Sequence, residues 1–142
     1  MLRIYLDSMI WIYALEGNPK FGAASQAIFT RLRSASHTLL ASHFLLAELL
    51  VLPVRNNDTF TVASYRSMIL ASATTEVVPF TAEVALQFAS LRAFQRTQAP
   101  DSLNLALAAS AKADIFLTND TDLHKLTIPG IGSIVGLETK LF

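Results

Sequence analysis

The chain contains no cysteine, which excludes disulfide bonds, thiolate zinc sites and cysteine nucleophiles. No apolar run approaches the roughly 18 residues that a membrane-spanning helix requires, and Asp7 interrupts the apolar N-terminus too early for a signal peptide. We therefore expect a cytoplasmic protein without a membrane partner. Charged residues are also scarce, at 15% against 52% hydrophobic residues, so the composition excludes disorder and fits one folded domain over residues 1–142.

An excess of charge of either sign is absent too, because 11 basic residues balance 11 acidic ones. Taken as a sum, this neutrality argues against nucleic acid as a partner. If several of the acids gather in one pocket, however, the rest of the molecule is basic. A basic body around an acidic pocket suits a polyanionic substrate, whereas an ordinary mixed surface is the competing interpretation.

Short apolar segments that alternate with helical patterns predict the fold. We expect strands over residues 2–6, 38–41, 76–78, 115–117 and 134–137. We expect helices over residues 9–15, 21–32, 42–52, 58–71, 81–95 and 100–112. Pro53 should end the third helix. This alternation is typical of an α/β domain with a short, mostly parallel central sheet that helices cover on both faces.

Five acidic residues are the strongest chemical signal, since each lies in or beside an apolar run: Asp7, Glu48, Asp101, Asp120 and Asp122. A carboxylate in apolar surroundings needs a partner, a helix-capping role or a metal ion. Asp7 and Asp120 follow predicted strands, where sites form in open α/β sheets, and Glu48 and Asp101 lie on helices that can reach the same end. Several carboxylates in one cleft repel one another, so their convergence predicts a divalent cation.

Each acid also has a purely structural explanation. Asp7 can cap the helix that follows it, and Asp101 can interact with the dipole at the start of its own helix. Asp120 and Asp122 lie in the turn-like segment TNDTD. Glu48 has the weakest such explanation, because leucines surround it and only a buried Arg partner would account for it. The shared placement at one end of one sheet favours a functional site over separate structural roles.

Three stretches of the chain resemble the PIN-domain nucleases, in particular the VapC-type toxins of prokaryotic toxin–antitoxin pairs. IYLDSMIWIYALEG resembles the opening strand, aspartate and helix of the family, and ASHFLLAELLVLPVR resembles its hydroxyl-then-glutamate helix. APDSLNLALAASAKADIFLTNDTDL resembles the helix that opens with aspartate and the strand that ends in Thr-Asn-Asp. The resemblance implies a single PIN-like domain that cleaves RNA with bound Mg²⁺ or Mn²⁺. It also implies a homodimer and a small antitoxin protein as a partner.

The resemblance assigns roles to individual acids. The quartet that binds the metal and carries out catalysis would be Asp7, Glu48, Asp101 and Asp120. Asp122 matches a position that is often acidic and would have a supporting role. One departure is Met9, where the family often has asparagine. That change removes a polar contact beside Asp7 but leaves the quartet complete.

Several further residues are candidates for supporting this site. Three hydroxyls match positions that in the family lie near the metal or orient a carboxylate: Ser8, Ser42 and Thr118. Asn104 lies one turn after Asp101 on the same helix face and could hydrogen-bond to a carboxylate or a metal-bound water. Two arginines before Asp101 are weaker candidates for phosphate contacts, with a solvated helix face as the alternative: Arg92 and Arg96.

Other classes of protein fit less well. The three histidines lack the paired spacing of a zinc site: His37, His43 and His124. The segment Gly130-Ile131-Gly132 is not framed by a strand and a helix, so we expect a loop and no dinucleotide site. The alternative that stays open is a non-catalytic PIN-like module that binds nucleic acid or protein.

Overall fold

The computed structural model describes residues 1–142 and contains one sheet of five parallel strands. The strands are β1 (Arg3–Leu6), β2 (Thr38–Ala41), β3 (Thr75–Val77), β4 (Ile115–Leu117) and β5 (Ser133–Val135). Their order across the sheet is β3-β2-β1-β4-β5. The predicted α/β class is confirmed, and the sheet is parallel throughout.

Six α-helices connect the strands: α1 (Ser8–Glu16), α2 (Gly22–Ser34), α3 (His43–Arg55), α4 (Thr59–Leu70), α5 (Ala82–Ser90) and α6 (Ala99–Ser110). A π-helical turn over Leu91–Gln95 extends α5, and a 3₁₀ turn over Leu123–Lys125 follows β4. No helix combines the length and the apolar character needed to cross a membrane.

Successive residues of the central strand β1 enter different hydrophobic cores, as the alternation of a strand dictates. Tyr5 packs with Leu40, Phe116 and side chains of α5 and α6. Ile4 and Leu6 lie in the second core, with side chains of α1, α2, α3 and α4. Ile4, Tyr5 and Leu6 are closed to solvent. Helices thus cover both faces of the sheet, and both cores fix the carboxyl end of β1.

One predicted helix end is wrong, because α3 continues through Pro53 to Arg55. Pro53 lacks the N–H that would donate to the Leu49 carbonyl, so it costs one hydrogen bond of the preceding turn, and the helix continues for only two residues beyond it. The helix ends where the Asn56 N–H donates to the Leu52 carbonyl and Asn57 adopts a left-handed φ of 54°.

The last strand is also shorter than predicted, since β5 covers Ser133–Val135 instead of 134–137. It begins after Gly132, whose backbone lies so close to β4 that a Cβ atom would be 2.5 Å from the Asp114 carbonyl oxygen. Gly132 therefore serves backbone packing, and the predicted loop over Gly130-Ile131-Gly132 is confirmed.

The strand order reverses direction between β1 and β4, because β2 and β3 extend the sheet on one side and β4 and β5 on the other. In open parallel sheets, the crevice beyond the carboxyl ends of strands at such a reversal is where ligands bind. Asp7 directly follows β1, and the segment with Thr118 and Asp120 follows β4. The topology therefore places both segments at the same crevice.

Candidate metal centre

Asp7 is the most buried of the predicted acids, with 7% of its surface exposed. It caps α1 by accepting the Ser8 N–H at Oδ1 over 2.8 Å, and Oδ2 accepts the Thr118 hydroxyl over 2.8 Å. Burial raises the pKa of Asp7, these hydrogen bonds lower it, and the charges of Glu48 and Asp120 raise it further. The cap explanation is therefore correct but incomplete, because capping does not require other carboxylates nearby.

Thr118 joins the segments that follow β1 and β4. Its Oγ1 donates to Asp7 and accepts the Asp120 N–H over 3.1 Å. The exposed side chain of Asp120 accepts the Asp122 N–H over 3.0 Å, so the predicted turn role is present as well. Asp122 is itself exposed and lies 3.8 Å from Lys125. The structure therefore couples Asp120 to Asp7 and leaves the Asp122 side chain in solvent.

Glu48 projects from the second turn of α3 and is half-buried. No Lys or Arg forms an ion pair with it, which rules out the buried arginine that would have explained its position. Its Oε1 instead accepts a hydrogen bond from Nδ2 of Asn104 over 3.0 Å. Burial raises the pKa of Glu48, hydrogen bonding to the Asn104 and Ser8 side chains lowers it, and the charge of Asp101 raises it.

Asp101 lies in the first turn of α6 and is half-buried. Burial raises its pKa to about 6, with further contributions from the charges of Asp7 and Asp120. Stabilisation by the helix dipole alone would lower this pKa. The dipole explanation for Asp101 is therefore insufficient, since repulsion and burial outweigh it.

Four segments of the chain bring acids together into what we call the carboxylate site: Asp7, Glu48, Asp101 and Asp120. Five of the six pairs within this site repel strongly enough to raise a pKa, the exception being Glu48 with Asp120. Neither of the two ion pairs in the structure includes any of the four. Mutual repulsion without a basic partner is the electrostatic character of a cation site.

The donor chemistry of the carboxylate site fits a hard divalent cation, which prefers oxygen ligands and retains water. The side chains do not, however, surround one point, because no three Asp, Glu or His residues are arranged to hold a metal ion. Individual carboxylates are turned toward their own donors, as Asp7 is toward Thr118 and Glu48 toward Asn104. Charge and ligand type therefore fit Mg²⁺ or Mn²⁺, while a closed set of three ligands is absent.

The predicted supporting hydroxyls occupy different positions. Thr118 contacts Asp7 directly, whereas Ser8 donates its backbone N–H to Asp7, and its buried side chain interacts with Glu48 and lowers the pKa of that carboxyl. Ser42 caps α3 by accepting the Leu45 N–H over 3.0 Å, and it lies 2.9 Å from the Tyr5 hydroxyl. Its contact with the carboxylate site is therefore indirect.

The two arginines do not contact the carboxylates. Arg92 donates from Nη1 to the Thr97 carbonyl over 2.8 Å, which holds the turn between the π-helical segment and α6. Arg96 is exposed and has a left-handed φ of 55° in that turn. The structure thus shows a structural contact for Arg92, and a role in binding phosphate stays a prediction for both.

The sequence model of the PIN-domain family matches residues 4–129 of this chain, which include the whole carboxylate site. The chain belongs to the PIN-domain family. No curated protein matches it closely enough to be called a relative.

Several solved structures share the fold of this PIN domain. VapBC2 from Rickettsia felis, bound to a promoter DNA fragment, is 20% identical with a TM-score of 0.71, covering 95% of this chain and 98% of that one. A toxin–antitoxin complex from Klebsiella pneumoniae is 19% identical with a TM-score of 0.66, covering 90% and 94%. The sarcin-ricin loop cleaving toxin VapC20 from Mycobacterium tuberculosis is 15% identical with a TM-score of 0.66, covering 87% and 96%. At such identities the likeness establishes the fold.

Two cavities lie in different regions of the PIN domain. A cleft of about 430 Å³ between α1 and α3 is lined by apolar side chains together with Ser8, Glu16, Glu48 and Arg55. A larger cavity of about 770 Å³ is lined by α1, α2 and the amino ends of β2 and β3, and it contains none of the four carboxylates. The larger cavity volume therefore does not indicate the candidate functional site, whereas the carboxylates with raised pKa values do.

Sequence reasoning missed Tyr5, a fully buried residue of β1 whose hydroxyl contacts both Ser42 and Asn104. In the sequence it is one apolar residue among several in a strand. The signal that could have identified it is its hydroxyl, because a buried phenol needs a hydrogen-bonding partner.

Proposed function

We propose that this PIN domain is an Mg²⁺- or Mn²⁺-dependent endoribonuclease of the VapC type, acting in the cytoplasm as the toxin of a type II toxin–antitoxin pair. The observation that supports this proposal is the carboxylate site itself. Four acids from four segments repel one another at the crevice beyond the sheet, and no basic side chain compensates them. Such an arrangement is unfavourable without a cation and suitable with one.

The residues available for the chemistry follow from this geometry. Asp7 and Asp101 are the proposed direct ligands, with Glu48 and Asp120 binding the ion or its water. A bound divalent ion supplies a water of lowered pKa and offsets charge on the scissile phosphate. Thr118 and the Ser8 N–H keep the Asp7 carboxylate in one orientation, because each occupies one of its oxygens. Each oxygen retains a lone pair for a ligand.

RNA as substrate and an antitoxin as partner are supported by the solved structures of the same fold, which include two toxin–antitoxin assemblies and a sarcin-ricin loop cleaving toxin. A homodimer is the proposed assembly. This PIN domain exposes several large apolar side chains that partners could cover: Phe60, Phe80, Leu86 and Phe94.

The test is cleavage of a mixed RNA substrate by purified protein with and without Mg²⁺. We expect wild type to cleave only with the metal and Asp7→Asn to lose activity while keeping its fold, checked by circular dichroism. Glu83→Gln is the matched control, since Glu83 is exposed on α5 outside the carboxylate site. Undiminished activity in Asp7→Asn would contradict the proposed mechanism.

A second candidate function is a non-catalytic module that binds nucleic acid or protein, and one observation favours it. No three acidic side chains are arranged to hold one ion. Calorimetric titration of the metal-free protein with Mn²⁺ distinguishes the two functions. Binding that disappears in Asp7→Asn supports the nuclease, and absence of binding to wild type supports the module.

A further inference from the structure

A series of buried hydrogen bonds leads from the start of α3 to Glu48. The Leu45 N–H donates to Ser42 Oγ over 3.0 Å, and Ser42 Oγ lies 2.9 Å from Tyr5 Oη. Tyr5 Oη lies 2.6 Å from Asn104 Oδ1, and Asn104 Nδ2 lies 3.0 Å from Glu48 Oε1. Tyr5, Ser42 and Asn104 are all at least 99% buried, so no water competes for these bonds.

The direction of every bond in this series is fixed by the carboxylate at its end. An ionised Glu48 can only accept, so Asn104 must present its NH₂ group to it. The amide oxygen then faces Tyr5, whose hydroxyl must donate. Because that proton is committed to Asn104, the Ser42 hydroxyl must donate to Tyr5, and Ser42 accepts only from Leu45. Each group has one arrangement that satisfies all the others.

Packing alone does not account for the hydroxyl of Tyr5. The ring stacks on Phe116 at 5.6 Å between centroids, with 9° between the planes, and a phenylalanine would make the same contact. A buried hydroxyl is unfavourable unless it is hydrogen-bonded. Burial also raises the pKa of Tyr5 above its ordinary value, so the phenol keeps the proton that it donates. The function of the hydroxyl therefore lies in its two polar contacts.

We propose that Tyr5 is a positioning residue that acts on Glu48 through Asn104. Its hydroxyl holds the Asn104 amide with the NH₂ group toward the carboxylate. Without it, the amide can rotate by half a turn and direct its oxygen at Glu48, which repels the carboxylate. This inference rests on the proposed function, in which Glu48 contributes to a metal centre.

The first test is Tyr5→Phe, which retains the stacked ring and removes only the hydroxyl. We expect Mn²⁺ affinity, measured by calorimetry, to weaken by about 10-fold, within the range for outer residues that orient metal ligands. The kcat for RNA cleavage should fall by a similar factor with KM unchanged, because Tyr5 is buried and cannot touch RNA. Tyr65→Phe is the control, since Tyr65 is half-buried and its hydroxyl makes no hydrogen bond in the structure.

A second variant, Asn104→Leu, removes the residue through which Tyr5 acts. It should weaken Mn²⁺ binding at least as much as Tyr5→Phe, and Tyr5→Phe should add nothing in that background, because contacting residues in one network are not additive. The double variant pairs two apolar groups where Tyr5 and Asn104 met, and Ser42 still accepts the Leu45 N–H, so it serves if Tyr5→Phe alone does not fold.

The outcomes separate this inference from the proposed function. Wild-type Mn²⁺ affinity in Tyr5→Phe or in Asn104→Leu overturns the role of Tyr5, while a cleaving wild type leaves the nuclease proposal intact. Weaker binding by the double variant than by Asn104→Leu also overturns it, because Tyr5 would then act by another route. A wild type that neither binds Mn²⁺ nor cleaves RNA overturns the proposed function, and this inference with it.

Discussion

The two ends of the sheet treat acidic residues in opposite ways. At the amino end, Glu76 accepts two hydrogen bonds from the Arg3 guanidinium, at 2.8 and 3.0 Å, and this contact lowers the pKa of Glu76. At the carboxyl end, Asp7, Glu48 and Asp101 have no basic partner, and their pKa values are raised, chiefly by burial. Identical functional groups are thus stabilised at one end and destabilised at the other.

This difference separates acids that are paired within the fold from acids that would bind a cation under the proposed function. At the amino end, the acids are paired within the chain. In addition to the contact with Glu76, the backbone N–H of Arg3 donates to the Asp114 carboxylate over 2.7 Å. At the carboxyl end the protein supplies neutral donors, such as Thr118 and Asn104, which orient the carboxylates without neutralising them. Under the proposed function, a bound cation supplies the compensating charge.

The largest predicted difference between the two ends of the sheet is the effect of substituting an acid on RNA cleavage. We expect Asp101→Asn to reduce kcat by about 10²–10³-fold, because it weakens binding of the cation that would offset charge on the scissile phosphate, and losing such stabilisation has an effect of this size. Asp114→Asn is the matched change at the amino end, and it should leave kcat unaltered because an amide oxygen can still accept from Arg3. Equal losses in both variants would show that the two ends do not differ in function.

The next effect is stabilisation by metal. A ligand that binds only the folded state at about 100 times its Kd adds about 2.7 kcal/mol to the free energy of unfolding. We expect Mn²⁺ to stabilise wild type by this mechanism, Glu76→Gln to the same extent, and Asp101→Asn much less. Urea unfolding with and without Mn²⁺ measures the three gains. If Mn²⁺ did not raise the free energy of unfolding of wild type, the carboxyl end of the sheet would not bind the cation, and the proposed difference between the two ends would be wrong.

A smaller effect is the pH dependence of the metal-free protein. The pKa of Asp101 is raised to about 6, so its contribution to stability is present below the ordinary Asp pKa of about 4. That contribution is lost as the pH rises through about 6. Asp101→Asn cannot ionise, so it should exceed wild type in stability at pH 7 and approach it at pH 4.

Solvent screens this half-exposed group, so we expect a difference of less than about 1 kcal/mol, or a few degrees in Tm. Thermal unfolding in EDTA over pH 4 to pH 7 provides the measurement. A gap between the two proteins that does not change with pH would show that the pKa of Asp101 is not raised.

Much of this contrast was accessible from the sequence. Apolar runs such as IYL and IFL predict buried parallel strands, and parallel strands end at the same edge. Asp7 and Asp120 follow such runs, so their proximity needs no tertiary detail. Glu48 was identifiable because its neighbours are leucines, which leave a lone carboxylate without a structural reason.

Other features depend on packing that no local pattern encodes. The contact of Asn104 with Glu48 requires α3 and α6 to approach each other, and Tyr5 joins that contact from β1 between them. The continuation of α3 through Pro53 was missed for a different reason. Local rules treat proline as a helix end, but a proline removes one hydrogen bond to the preceding turn, and packing of α3 in the core can outweigh that loss.

The smallest predicted effect concerns the amino end alone. Glu76→Gln removes one charge of an ion pair whose side chains are 35% and 49% exposed, so we expect a loss of only about 0.2–1 kcal/mol. Because its folded pKa is lowered, Glu76 contributes this stability above the ordinary Glu pKa, and the contribution disappears as the pH falls through the lowered value. The loss on substitution should therefore be full at pH 7 and vanish in strong acid, opposite in sign to the effect at Asp101. Unfolding of Glu76→Gln and Asp101→Asn over the same pH series tests both signs at once. If both substitutions changed stability in the same direction at pH 7, the carboxylates of Glu76 and Asp101 would not have opposite effects on folding, and the contrast between the two ends of the sheet would be wrong.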